Sequence, residues 1–80
     1  MTATLNINLA TAERLVAEGE RMIARHRGIA EALENQAGVS AKALERARNV
    51  VASLQELQTR RIATRDQLRR QLAELECRNE

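Results

Sequence analysis

The residues of this chain whose type and spacing offer binding chemistry are five arginines in its second half. Arg61, Arg65 and Arg69 are four residues apart, so on an α-helix they lie along one ridge about 12 Å long. Guanidinium groups make bidentate contacts with carboxylates and phosphates. We therefore expect this arginine strip, flanked by Arg60 and Arg70, to meet an acidic protein surface. The alternatives are a solvated face partly neutralised by nearby acids, and nucleic acid, which is not favoured.

Catalytic and metal-binding patterns are missing from the sequence. It has one histidine and one cysteine, His26 and Cys77, and no Gly-rich phosphate loop, nucleophile elbow or zincin motif. Met22 lies one helical turn before His26, but a metal or haem site needs several converging ligands. The sequence predicts a non-enzymatic protein with no metal, no cofactor and no small-molecule substrate.

The composition predicts a thin core. The chain has 80 residues, of which 44% are apolar and none is aromatic, and its single cysteine excludes an internal disulfide. Natural chains of this size that lack disulfides and structural metals gain stability from a second subunit or a partner. The sequence has no 18-residue apolar run, and its first residues lack the basic start and continuous apolar stretch typical of a signal peptide. We therefore expect no membrane association and a cytoplasmic location.

Three consecutive residues, Gly38, Val39 and Ser40, interrupt an otherwise unbroken helical pattern. Glycine takes the left-handed conformation that ends many helices, and serine caps the start of the next helix. Val39 is placed to contact Leu33 behind it and Leu44 ahead of it. These signals predict a tight connection between two helices.

The predicted fold is therefore a single all-α domain over residues 1–80, an antiparallel helical hairpin. We expect a helix at about 11–37, a turn at 38–40 and a long helix at about 41–78. The exposed apolar stripes predict assembly of such hairpins as a dimeric helical bundle or coiled coil.

The first predicted helix carries pairs of apolar residues about seven positions apart, a stripe wider than the two-position seam of a simple coiled coil. Gly19 interrupts this stripe, where it either permits close approach of another backbone or weakens the helix. The residues that we expect to support self-association are Leu15, Val16, Met22, Ile23, Ile29 and Leu33.

The second predicted helix has a seam with a polar interruption. Its apolar residues at seam spacing are Ala47, Val50, Leu54, Leu57, Leu68 and Leu75, with Leu44, Val51 and Leu72 widening the stripe. In this register Arg61, Thr64 and Gln71 occupy seam positions. The interruption coincides with the arginine strip, which predicts that the hairpin core weakens there and that another surface is engaged.

The two predicted arms differ in length. At 1.5 Å per residue the second helix extends about 18 Å beyond the first. Its last leucines are then left to pack on the N-terminal tail or on another chain. The residues that we expect to contact a protein partner are Leu54, Leu57, Arg61, Arg65, Leu68, Arg69, Leu72 and Leu75.

The first ten residues have the alternating pattern of a short strand, because Leu5, Ile7 and Leu9 alternate with polar residues. The alternative is a tail or an extra helical turn whose leucines pack on the hairpin. As a strand, this segment resembles the N-terminal ribbon of ribbon-helix-helix DNA-binding proteins, and the resemblance covers only the first third of the chain. It implies a dimeric ribbon, regulator or antitoxin activity, and base contacts from Thr4, Asn6 and Asn8.

The function that the sequence favours is a protein–protein interaction module, that is, a small helical adaptor, inhibitor or structural subunit. Such a module explains the short chain, the thin core and the wide apolar stripes together. The ribbon-helix-helix regulator is the alternative.

Overall fold

The structure, a computed structural model that describes residues 2–78, consists of two α-helices, α1 (Thr2–Glu34) and α2 (Ala41–Arg78). The helices pack against each other as a rod of 64 × 15 × 14 Å. The predicted all-α helical hairpin is confirmed, and α2 has the predicted bounds. Met1 and residues 79–80, which belong to the predicted domain, lie outside the described residues.

The turn contains the predicted signals, but α1 ends three residues earlier than predicted. The last backbone bonds of α1 run from Asn35 N to Glu31 O, at 3.1 Å, and from Gln36 N to Leu33 O, at 3.2 Å, so the final turn tightens. Gly38 has a φ of 83°, which glycine adopts without the steric cost of a Cβ.

Ser40 caps the start of α2. Its Oγ accepts a hydrogen bond from the Ala43 backbone N–H at 3.1 Å, as the sequence predicts for a helix that begins at Ala41. Val39 is half-buried beside this cap.

The N-terminal segment is helical, so the strand interpretation is wrong and α1 begins nine residues before the predicted start. Leu5 and Leu9 are one helical turn apart and half-buried, whereas Ile7 is 67% exposed. A strand needs a pairing partner, and residues 2–78 contain no strand. Thr4, Asn6 and Asn8 therefore lie on an exposed helical surface rather than on one face of a ribbon.

The longer α1 also changes the prediction for the C-terminal leucines. Because α1 extends to Thr2, it reaches the last turns of α2, and Leu68, Leu72 and Leu75 are half-buried within the single chain. The predicted overhang is absent from the described helices. These leucines pack on the helix formed by the N-terminal segment.

The interface between the helices follows a regular alternation of three and four residues on both α1 and α2. Such spacing is the heptad seam of a coiled coil, with the inward positions designated a and d. The inward residues of α1 are Leu5, Leu9, Ala12, Val16, Gly19, Ile23, His26, Ala30 and Leu33, and those of α2 are Leu44, Ala47, Val51, Leu54, Gln58, Arg61, Arg65, Leu68, Leu72 and Leu75.

The observed seam of α2 shares one row with the predicted seam and differs in the other. Val50 and Leu57 are 42% and 40% exposed, and Thr64 and Gln71 are also exposed, so this predicted row does not face α1. The row that contains Val51, Gln58 and Arg65 faces α1 instead. This row and the row of Val50 and Leu57 lie on either side of the shared row, which contains Leu54, at similar angles, so apolar spacing alone does not distinguish them.

Candidate protein-interaction surface

The polar part of the seam is held by side chains of α2 that reach the backbone of α1. Gln58 Nε2 donates a hydrogen bond to Val16 O at 2.8 Å, and Arg61 Nη1 donates to Leu15 O at 3.1 Å. Both acceptors are carbonyls of consecutive residues within α1. These two bonds fix the relative position of the helices along the rod, because each links a side chain of one helix to the backbone of the other.

Gly19 makes room for the Gln58 amide. A Cβ built on Gly19 would overlap Gln58 Oε1 and would lie 2.7 Å from Gln58 Cδ. The sequence allowed for close approach of another backbone at Gly19, whereas in the structure the Gln58 side chain occupies this space. Gln58 is only 7% exposed, and its Oε1 has no hydrogen-bond partner among the described residues.

The seam is most buried at the polar interruption, which corrects the prediction of a weak core there. The buried residues of the described chain are Ala12, Val16, Gly19 and Gln58. Counting outwards from the contact between Gly19 and Gln58 places Val16 opposite Arg61 and Ala12 opposite Arg65. Small residues on α1 thus lie opposite long polar residues on α2, so the size of each side chain complements its neighbour.

The predicted arginine strip faces α1 rather than solvent over much of its length. Arg61 and Arg65 are half-buried in the seam, and Arg65 pairs with Asp66 at 3.1 Å. The exposed members of the cluster are Arg60, Arg69 and Arg70, which do not share one helical ridge. The described structure therefore lacks a continuous guanidinium strip for an acidic surface.

Two rows of residues border the seam on each helix, designated e and g in heptad notation. In an antiparallel pair the two g rows lie on one side of the rod and the two e rows on the other. Glu34 and Arg48, both at e positions, form an ion pair at 3.2 Å. Leu15 and Thr64, both at g positions, line the same surface groove.

The side of the rod formed by the g rows from Asn8 to Ile29 of α1 and from Ala43 to Gln71 of α2, which we call the uncharged flank, carries no charged residue, in a chain of which 30% is charged. The α2 row continues beyond this flank to Arg78, the last residue of the helix, which is charged. The middle of the flank is apolar and its end is polar but neutral. The residues of the uncharged flank are Asn8, Leu15, Met22 and Ile29 on α1, and Ala43, Val50, Leu57, Thr64 and Gln71 on α2.

The apolar middle of the uncharged flank is substantially open to solvent. Met22 is 43% exposed, Ile29 44%, Val50 42% and Leu57 40%. Counting along the antiparallel helices places Met22 beside Leu57 and Ile29 beside Val50. These side chains form one contiguous apolar surface to which both helices contribute.

The opposite flank, formed by the e rows, is charged. It contains four charged residues of α1 and three of α2, which carry both signs and include the pair between Glu34 and Arg48. The charged residues of the opposite flank are Glu13, Glu20, Arg27, Glu34, Arg48, Arg69 and Glu76. The rod is therefore asymmetric about its seam, with a neutral, largely apolar side and a charged side.

The residues predicted for self-association and partner binding divide between the seam and its flanks. The seam contains Val16, Ile23, Leu33, Leu54, Arg61, Arg65, Leu68, Leu72 and Leu75, the uncharged flank contains Leu15, Met22, Ile29 and Leu57, and the opposite flank contains Arg69. Sequence reasoning missed Gln58 and Val50 as site residues. The recurrence of uncharged residues every seven positions on both helices was the signal for the flank.

The groove on the uncharged flank beside Leu15 and Thr64, which Arg60 also lines, has a volume of about 150 Å³, about half the lower limit for ligand pockets. No three His, Cys, Asp or Glu side chains within residues 2–78 are grouped to hold a metal ion, and neither α1 nor α2 has the length and apolarity needed to cross a bilayer.

The uncharged flank is thus the surface of this rod with the most distinctive chemistry. No family model, curated protein or solved structure matches this chain.

Proposed function

We propose that the chain is a non-enzymatic protein-interaction module, a small helical adaptor, inhibitor or structural subunit that docks through its uncharged flank. The observation that carries the proposal is the exposure of Met22, Ile29, Val50 and Leu57 along one side of a rod whose other side is charged. Contiguous exposed apolar surface is characteristic of interaction sites.

The heptad pattern supports this proposal. A two-stranded coiled coil needs apolar residues only at a and d, whereas a helix in a larger bundle carries a third apolar position at e or g. Both α1 and α2 have that third position at g. The pattern is that of helices that contact a further neighbour on this side.

The distribution of burial supports it as well. Ala12 and Val16 are the apolar side chains of the described residues that are buried within one chain, at 6% and 3% exposure. So small a core contributes little beyond the entropy cost of ordering the chain. Docking on a partner would bury the open apolar residues and stabilise the folded hairpin.

The experiment is site-specific photo-cross-linking in the native host. A photoreactive amino acid replaces Met22 on the uncharged flank or, as the matched control, Gln55 at an exposed position on the opposite flank. We expect protein adducts of defined mass from position 22 and few from position 55. Equal labelling at both positions, or no adduct at position 22, would exclude the flank as the docking surface.

A further inference from the structure

We propose that the occupant of the uncharged flank is a second copy of this chain, so that two hairpins form a four-helix dimer. This inference rests on the proposed function and names its partner. The core of that dimer would contain the two seams and, between the hairpins, the apolar residues of both flanks. A four-helix bundle uses helices with this apolar pattern.

The exposed area of the single chain fits this assembly. The chain exposes 6087 Å² at a mass of 9.0 kDa, whereas a compact monomer of that mass exposes about 4,900 Å². The excess of about 1,200 Å² is larger than the roughly 800 Å² that each partner buries in an interface of standard size. One hairpin therefore has surface enough for a stable dimer.

The shape of the uncharged flank also suits a copy of itself. At 1.5 Å per residue it extends about 40 Å along α2, and the rod is 15 Å wide. Its middle is apolar and its end at Asn8 and Gln71, away from the turn, is polar but neutral, so self-docking buries no charge at the g positions from Asn8 to Ile29 and from Ala43 to Gln71. Charged residues border the apolar middle, and an apolar centre with a polar periphery is the usual anatomy of a protein interface.

Charges at the border of the flank complement one another in a twofold dimer. Glu18 and Arg25 lie beside Met22, and Arg60 lies beside Leu15 and Thr64. A twofold axis in the plane of the flank, centred on Met22 and Leu57, can run in two directions. If the axis runs along the rod, Glu18 of one copy faces Arg60 of the other, and if it runs across the rod, Glu18 faces Arg25. Both arrangements bring opposite charges together.

The test is sedimentation equilibrium of the purified full chain over a range of concentrations, with reductant present so that Cys77 forms no disulfide. Met22→Glu and Leu57→Glu place a charge at the centre of the flank. Ile7→Glu is the matched control, because Ile7 is 67% exposed and lies outside the flank. Circular dichroism of each variant measures whether the helices persist, and Leu57→Gln provides a milder change at the same position.

We expect the wild type and Ile7→Glu to sediment at twice the monomer mass. The flank variants should keep their helical signal and raise the dimer dissociation constant at least about 100-fold, because each substitution occurs twice in the interface. A monomeric wild type at every concentration would overturn the proposal, as would dimers of unchanged affinity in both glutamate variants. Position 22 adducts with other proteins alongside a monomeric purified chain would refute the dimer and leave the proposed function standing.

Discussion

Replacement of Gly19 by alanine tests the packing of the polar seam most directly. In an open helix interior this change stabilises the fold by about 1 kcal/mol, since alanine is the better helix former. Gly19 is not in an open site, because a Cβ there would overlap Gln58 Oε1 and lie 2.7 Å from Cδ. The Gln58 amide must move, and its hydrogen bond to Val16 O, now 2.8 Å, is lost or distorted.

The expected cost has two parts. Loss of the hydrogen bond costs about 0.5–1.5 kcal/mol, and displacement of the buried Gln58 side chain from its rotamer costs about 0.5–1.5 kcal/mol. Their sum, about 1–3 kcal/mol, exceeds or cancels the helix-propensity gain. We expect Gly19→Ala to destabilise the chain by about 1 kcal/mol, which lowers the melting temperature by about 4–8 °C.

A double-mutant cycle separates the contact from the propensity. In a Gln58→Ala background the obstructing amide is absent, so Gly19→Ala should instead stabilise by about 1 kcal/mol. The resulting coupling energy between positions 19 and 58 is about 2 kcal/mol. Gly28→Ala is the matched control, because apart from the neighbouring backbone of its own helix nothing lies within 4 Å of where its Cβ would be, and it should stabilise by up to about 1 kcal/mol.

The assay is urea unfolding followed by far-ultraviolet circular dichroism, with all variants at one protein concentration because self-association would shift the midpoint. Gly19 and Gln58 lie in the seam rather than on the uncharged flank, so the comparison reports on the hairpin itself. A coupling energy below about 0.5 kcal/mol, with Gly19→Ala as stabilising as Gly28→Ala, would refute the close contact.

Substitutions at three further positions probe the turn and the opposite flank by the same unfolding assay. Gly38→Ala should destabilise by about 1–2 kcal/mol, because a side chain is strained at a φ of 83°; an unchanged midpoint would contradict this backbone geometry. Ser40→Ala should cost about 1 kcal/mol through loss of the bond from Ala43 N–H, and Ser40→Asp should restore most of it. Glu34→Gln should alter stability by less than about 0.5 kcal/mol, because the side chains of Glu34 and Arg48 are 57% and 58% exposed, and a larger loss would show that this ion pair matters.

The hairpin was predictable from the sequence because its determinants are local. A positive-φ glycine and a capping serine act within a few residues, and α2 contains no glycine or proline between its ends. The start of α1 was predicted less well, since six alternating residues fit a strand as well as a helix. Packing against α2 determines that this segment is helical, because Leu5 and Leu9 continue the row of inward-facing residues that leads to Ala12.

The register of the seam was not predictable from α2 alone, since the rows that begin at Val50 and Val51 are both apolar before the polar stretch. The choice depends on α1. Only the row with Gln58 and Arg65 places long polar side chains opposite Gly19 and Ala12, where the small residues of α1 leave room for them. Ala12 and Gly19, two small residues seven positions apart on α1, indicated that long side chains of α2 would pack opposite them.

The ambiguity of register and the uncharged flank have the same cause. A helix that packs on one neighbour needs one apolar stripe, and its register is then unambiguous. Both helices here carry a second apolar row, and residues such as Val50 and Leu57 could be assigned to the seam because they are as apolar as seam residues. In the folded hairpin they remain about 40% exposed. The proposed docking of a second hairpin would place a further helix on that side and would bury these apolar residues, which recur every seven positions beside the seam.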